Sequence, residues 1–139
     1  MKEYYEELIR RAFEARKKAY APYSHFQVGA ALLCEDGRIY EGCNIENAAF
    51  GVSQCAERTA LFTAVFEGER DFTAIAIVGG REDAVSFDLC PPCGICRQAL
   101  TEFCDPEKFE VILARSESDP HVYSLGEVYP LGFTAKDME

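Results

Sequence analysis

Two short segments of the chain carry residue types that could bind a metal ion. The first is Cys55-Ala56-Glu57 and the second is Cys93-Gly94-Ile95-Cys96. A Cys-x-x-Cys pair at the start of a helix places both sulfurs on one side of the backbone, which suits two Zn–S bonds of about 2.3 Å. If the two segments face each other, three thiolates converge, and the partial positive charges of two helix N-termini favour them.

Three cysteine ligands would leave the fourth position of a tetrahedral zinc ion open, which is typical of catalytic rather than structural sites. Glu57 follows Cys55 by two residues, so its carboxylate would lie close to the metal without binding it. A carboxylate placed there can carry protons to and from a metal-activated water. The combination predicts a zinc-dependent deaminase with a three-cysteine ligand set, in which Glu57 is the catalytic residue.

The remaining cysteines and the histidines are interpreted without a catalytic role. Cys90 lies three residues before Cys93 and is interpreted as a loop thiol, because a fourth thiolate would close the open position. His121 has no partner motif, and we expect it at the surface. We assign no role to His25, which belongs to a segment expected near the site. Three cysteines in apolar surroundings are predicted to lie in the core: Cys34, Cys43 and Cys104.

The composition limits the class of protein. With 139 residues, 48% of them hydrophobic, the chain is expected to form a single domain over residues 1–139. Its 14 basic and 24 acidic residues give a net charge of −10, which opposes binding to nucleic acid. The longest apolar run, near residues 28–34, is far below the ~20 residues of a membrane helix. An odd number of cysteines and no export signal predict reduced thiols and the cytoplasm.

Hydrophobic periodicity predicts the elements that would position these residues. Helices are expected over residues 4–20, 54–67 and 93–103, and strands over 26–34, 38–43, 72–78, 109–114 and 121–125. Asp36-Gly37 predicts a hairpin turn, Gly68 a helix end, and residues 79–92 a polar loop. The order predicts an α/β fold: one mixed sheet of about five strands, with 72–78 central and helices on both faces.

Four segments extend beyond the metal-binding pattern: Tyr20-Ala-Pro-Tyr-Ser-His-Phe-Gln-Val-Gly-Ala30, Gly42-Cys-Asn-Ile-Glu-Asn-Ala48, Cys55-Ala-Glu-Arg-Thr-Ala60 and Pro92-Cys-Gly-Ile-Cys-Arg-Gln98. Through these segments the sequence resembles the small zinc cytidine deaminases that act on free nucleosides. The resemblance runs from about residue 19 into the C-terminal tail. It implies the cytidine deaminase-like fold, one Zn²⁺ per chain, and hydrolytic deamination of cytidine and 2′-deoxycytidine to the uridines plus ammonia, as in pyrimidine salvage. It also implies a homotetramer with active sites at subunit interfaces.

The resemblance also assigns substrate-binding residues. It implies that Asn44 and Glu46 hold the ribose hydroxyls, that Phe26 lies beside the pyrimidine, and that the Ala56 backbone with Glu57 reads the polar edge of the base. Arg58 resembles the family arginine that donates hydrogen bonds to ligand thiolates. From the residues alone, the favoured interpretations are a core phenylalanine for Phe26, an ordinary polar loop for residues 44–47 and a solvated helix residue for Arg58.

The C-terminal segment extends the resemblance, and the sequence departs from the family at two places. Val128-Tyr-Pro-Leu-Gly-Phe133 resembles the family's Leu-Leu-Pro-x-x-Phe, which implies that Phe133 stacks on a nucleoside bound to a neighbouring subunit; packing on its own subunit is the alternative. Phe50 stands where the family commonly has tyrosine, so any hydroxyl contact is lost. The loop 81–91 looks longer than usual and contributes Cys90.

Two other functions remain open from the residues alone. One is a deaminase of a related substrate, such as another aminated nucleoside or a base within nucleic acid, although the acidic charge opposes the latter. The other is a structural zinc or redox module that uses only Cys93 and Cys96.

Overall fold

Five strands form one open sheet in the order β2-β1-β3-β4-β5, in a computed structural model that describes residues 2–139. The strands are β1 Phe26–Cys34, β2 Ile39–Cys43, β3 Phe72–Arg81, β4 Glu110–Ala114 and β5 Pro120–Ser124. The β3–β4 pair is parallel and the other pairs are antiparallel. The predicted mixed sheet is therefore confirmed, and β3 occupies its centre as expected.

Helices cover both faces of this sheet. They are α1 Tyr4–Arg16, α2 Ala56–Phe66, α3 Gly94–Thr101 and α4 Leu125–Val128, with 3₁₀ turns at Phe50–Val52 and Ala135–Met138. Residues of α1 pack with Ala74, Ala76 and Val78 of β3 on one face. Residues of α2 and α3 pack with Ile75 and Ile77 on the other, since successive strand residues point to opposite faces. We call these the α1 face and the α2/α3 face.

The hairpin turn predicted at Gly37 and the helix end predicted at Gly68 are both confirmed. Gly37 has φ +93° in the turn between β1 and β2, where the Cys34 N–H donates to the Arg38 carbonyl over 2.9 Å. Gly68 has φ +100° directly after α2. Both values lie in the left-handed region that glycine adopts without a steric penalty.

No helix within residues 2–139 is both long and apolar enough to cross a membrane.

The helix predicted to run to residue 20 ends at Arg16. The cause is tertiary pairing further along the chain. Tyr20 forms a parallel bridge with Ile45: its N–H donates to the Asn44 carbonyl over 3.0 Å, and its carbonyl accepts from the Glu46 N–H over 2.8 Å. These bonds need an extended backbone at Tyr20, so tertiary pairing overrides the helical preference of the sequence there.

The loop predicted to begin at residue 79 begins later, because β3 extends to Arg81. Gly79, Gly80 and Arg81 continue the antiparallel ladder by pairing with Val28, Gln27 and Phe26 of β1. Two adjacent glycines lower the intrinsic preference for a strand, but the partner strand supplies the missing hydrogen bonds. We call the residues that follow, 82–92, the connecting segment.

Candidate active site

The cysteines of the site lie at the first turns of two helices. Cys55 and Cys93 have extended backbones and directly precede α2 and α3, and Cys96 is buried in the first turn of α3. The start of α2 lies directly on the sheet because β2 has a glycine there. A Cβ atom on Gly42 would be 2.4 Å from the carbonyl oxygen of Ala56, so any other residue would push the start of α2 away.

The structure brings the three predicted sulfurs together. The Sγ atoms of Cys55 and Cys93 lie 3.9 Å apart, those of Cys93 and Cys96 lie 3.5 Å apart, and all three lie within 4.8 Å of one another. A tetrahedral zinc ion with Zn–S bonds of about 2.3 Å needs sulfurs roughly 3.8 Å apart. The donor set therefore fits Zn²⁺. Among residues 2–139, Cys90 does not belong to this three-sulfur cluster.

Hydrogen bonds within the cluster stabilise a thiolate. A hydrogen bond from Cys96 is the largest cause that lowers the pKa of Cys55 to about 5, and Arg58 lowers it further against the opposing effect of burial. The Arg58 Nη2 donates to the Cys55 sulfur over 3.2 Å, as the family resemblance implied. The same bond to Cys55, together with burial, raises the pKa of Cys96. Thiolates are the form that binds a metal.

Glu57 lies in the first turn of α2 and is only 5% exposed. Burial raises the pKa of its carboxyl group to about 7, and the nearby charge of Cys55 acts in the same direction. A carboxyl group with a pKa near neutrality can both accept and release a proton under working conditions. The site therefore combines a metal-binding cluster with a group suited to proton transfer.

Asn44 and Glu46 reach two different segments. The Asn44 Oδ1 accepts from the Val28 N–H over 2.9 Å, and its Nδ2 donates to the Phe26 carbonyl over 2.8 Å. The Glu46 Oε1 accepts from the backbone N–H groups of Tyr23 and Ser24, and its Oε2 accepts from the Ser24 hydroxyl. The hydrogen bond from Ser24 is the largest cause that lowers the pKa of Glu46, so this carboxylate is ionised at neutral pH.

Phe26 and Ala56 flank the site from two elements. Phe26 is the first residue of β1 and is partly exposed, which argues against a core role. Every second residue of a strand points to the same face. Phe26 therefore shares a face with Val28, Ala30 and Leu32, which pack towards α2 and α3, and its ring lies on the α2/α3 face. Ala56 is fully buried as the first residue of α2.

Gln98 and Arg97 hold the C-terminal segment on α3, and sequence reasoning assigned them no role. Gln98 donates to the Phe133 carbonyl over 2.8 Å and accepts from the Phe133 N–H over 3.2 Å. Arg97 donates to the carbonyl oxygens of Val128 and Pro92. The sequence contained one indication of this role: both residues directly follow the predicted metal ligand Cys96. Although the Phe133 backbone is fixed, Phe133 remains 57% exposed.

Comparison with known proteins gives a consistent result. Residues 2–112 match the family model of the cytidine and deoxycytidylate deaminase zinc-binding region, and the three-sulfur cluster fits one zinc ion per chain. A cytidine deaminase of Halalkalibacterium halodurans is 50% identical over 131 residues, covering 94% of this chain and 95% of the relative. One from Sporosarcina psychrophila is 47% identical, covering 96% and 93%. The crystal structure of a cytidine deaminase from Burkholderia pseudomallei matches with a TM-score of 0.83 at 46% identity, covering 96% of this chain and 100% of that one.

Proposed function

The chain belongs to the cytidine and deoxycytidylate deaminase family, and from this premise we propose its substrates and the roles of its residues. It catalyses the zinc-dependent hydrolysis of cytidine and 2′-deoxycytidine to uridine and 2′-deoxyuridine plus ammonia, and so serves pyrimidine salvage. The observation that carries the proposal is the three-sulfur cluster next to one buried carboxyl group with a pKa of about 7.

Cys55, Cys93 and Cys96 would hold the zinc ion. Bound there, zinc supplies Lewis-acid chemistry and lowers the pKa of water. Three thiolates and one Zn²⁺ sum to a charge of −1, and the Arg58 guanidinium on Cys55 offsets part of it, which favours ionisation of that water. Free thiols are needed for this role, which supports a cytoplasmic location.

Glu57 moves the protons. Its carboxylate takes a proton from the water that adds to C4 of the pyrimidine and delivers a proton to N3. It then carries the second proton of that water, from the new C4 hydroxyl group, to the exocyclic amino group, and the C4–N bond breaks to release ammonia. A buried carboxyl group with a pKa near 7 can perform each of these transfers.

Asn44 and Glu46 would bind the ribose, Phe26 would contact the base, and the Ala56 backbone would hydrogen-bond its polar edge. An ionised carboxylate has about four acceptor positions. Tyr23 and Ser24 use three of those on Glu46, which leaves one for a hydroxyl group. The Asn44 amide likewise keeps one N–H and one lone pair beyond its two bonds to β1.

The direct test is incubation of zinc-loaded protein with cytidine and with 2′-deoxycytidine. We expect equimolar ammonia and the corresponding uridine nucleoside from both, and no reaction from an oligonucleotide that contains cytosine. No ammonia from either nucleoside at full zinc occupancy would overturn the proposed reaction. Thiol–disulfide activity without zinc would instead indicate a redox module.

We place the enzyme in a homotetramer in which Phe133 contacts the nucleoside of a neighbouring subunit. Gln98 fixes the Phe133 backbone while the residue stays largely exposed. Several large apolar side chains are also exposed and would be covered by association: Phe50, Phe62, Phe66, Ile95 and Leu131.

Phe133→Ala should lower kcat/KM for cytidine roughly tenfold, because stacking on the base is lost. Zinc content and Tm should stay close to wild type, and Met138→Ala in the same tail serves as the control. Mixing Phe133→Ala chains with Glu57→Gln chains should restore activity, since mixed assemblies pair an intact Glu57 with an intact Phe133. No recovery in mixed oligomers verified by native mass spectrometry would mean that one chain completes its own site.

A further inference from the structure

The connecting segment passes around the end of β3 and touches both faces of the sheet. On the α2/α3 face it contacts β3 at Gly79. A Cβ atom on Gly79 would lie 2.7 Å from the Cys90 Sγ and 3.1 Å from the Phe26 Cε1. Cys90 and Phe26 therefore meet over this glycine, on the face that also carries the three-sulfur cluster.

On the α1 face the segment contacts the next residue of the strand. A Cβ atom on Gly80 would lie 2.6 Å from the Phe87 Cδ1. The Phe87 ring packs edge-on against Phe13 of α1, with centroids 5.1 Å apart, and the Arg16 guanidinium lies 4.7 Å from the centre of the same ring. Phe87 thus packs between β3 and α1 and is half-buried.

Arg16 is a buried cation with no carboxylate within 4.0 Å among residues 2–139. It is 6% exposed. Its Nη2 donates to the carbonyl oxygens of Gly80 and Arg81 over 3.0 and 2.9 Å. Burial of a charge is costly unless its donors are satisfied. Arg16 meets this requirement with the end of β3, with the Gln27 carbonyl of β1, to which its Nε donates over 3.4 Å, and with the face of Phe87, so its geometry depends on all three.

Only residues 88 and 89 separate Phe87 from Cys90, so the position of one constrains the other. Cys90 lies on the α2/α3 face through its contact at Gly79, and burial is the largest cause that raises its pKa to about 11. The far end of the segment is held independently, since Arg97 donates to the Pro92 carbonyl over 2.7 Å. Arg16 therefore governs the middle of the segment and not the metal ligand that follows it.

We propose that Arg16 is a positioning residue for substrate binding: by clamping Phe87 on the α1 face, it fixes Cys90 beside Phe26 and so shapes the wall against which the base binds. The identity of the base rests on the proposed function. Glu57 and the three sulfurs are held by α2 and α3, so loss of the clamp weakens binding more than it slows the chemical steps.

Arg16→Met should raise KM for cytidine roughly tenfold and leave kcat within about twofold. Zinc content should be unchanged. Alkylation of Cys90 by iodoacetamide, located by fragment mass spectrometry, should be about tenfold faster, because local opening exposes the thiol. Arg10→Met is the matched control on the same helix: Arg10 is exposed and pairs with Glu7 and Glu117 at 3.9–4.0 Å, and its variant should match wild type in every measurement.

Phe87→Ala removes the other half of the clamp and keeps the test decisive if Arg16→Met fails to fold. It should give the same rise in KM and in Cys90 alkylation, and the double variant should be no worse than the worse single variant, since both act through one contact. Val85→Ala, at a residue 98% exposed in the same segment, should change nothing.

A lower Tm with unchanged KM and unchanged alkylation would make Arg16 merely structural and overturn the proposal. Alkylation is measured without substrate, so the clamp is tested even if no nucleoside is deaminated. Inactive wild-type protein with faster alkylation in both variants would contradict the proposed function alone. Active protein whose KM does not respond would contradict the positioning role alone.

Discussion

Glu57→Gln should lower kcat for cytidine by about 10²–10⁴-fold, which is the usual contribution of a general acid–base group. The loss should be at the upper end, because one carboxyl group is proposed to serve several proton transfers. Glutamine has nearly the same shape and fits the buried position of Glu57, but its amide cannot exchange a proton near neutral pH. Single-turnover and steady-state assays would measure the effect.

The matched control for this variant is Glu67→Gln, which makes the same substitution at the opposite end of α2, where the side chain is exposed. Both variants should retain one equivalent of zinc and a Tm near wild type. Near-normal kcat in Glu57→Gln would show that Glu57 is structural, and the proposed proton transfers would then be wrong.

Cys93→Ala should abolish stoichiometric zinc binding and, with it, deamination. Removing one of three ligands leaves two sulfurs, too few for a stable catalytic zinc site. Metal analysis of the purified variant should therefore give far less than one equivalent. Neither Cys55 nor Cys96 can compensate, because each already contributes its one sulfur to the cluster.

Cys90→Ala provides the comparison, because Cys90 lies only three residues before Cys93 and outside the three-sulfur cluster. It should retain its zinc. Equal zinc loss in the two variants would point to a closed four-cysteine site, which has no open position for water and would contradict a hydrolytic role.

The sequence allowed the convergence of the three sulfurs to be predicted because it depends on local features. A Cys-x-x-Cys pair at a helix start fixes its own geometry, and Cys55 sits at a second helix start. The sheet could be predicted for a similar reason, since its strands are apolar runs separated by clear turn residues.

What could not be predicted depends on contacts between distant segments. The two bonds from the Asn44 amide to β1 require the register between strands, which residue types do not specify. Gly79 and Gly80 resemble a loop until their pairing with β1 is known. The buried position of Arg16 could not be predicted either, because a basic residue near the end of an amphipathic helix ordinarily points into solvent.

The strand order has a consequence for how the enzyme acquires its metal during folding. Cys55 precedes β3 in the chain and Cys93 follows it, while β3 pairs with β1 across a long intervening stretch of chain. Such non-local pairing forms slowly, and Cys55 meets the locally formed pair of Cys93 and Cys96 only when it is complete. We therefore expect the complete three-sulfur cluster to bind zinc after the sheet has formed. In that order of events the ion would stabilise the native state by mass action, and newly made apoprotein would be a folded molecule that has not yet bound its metal.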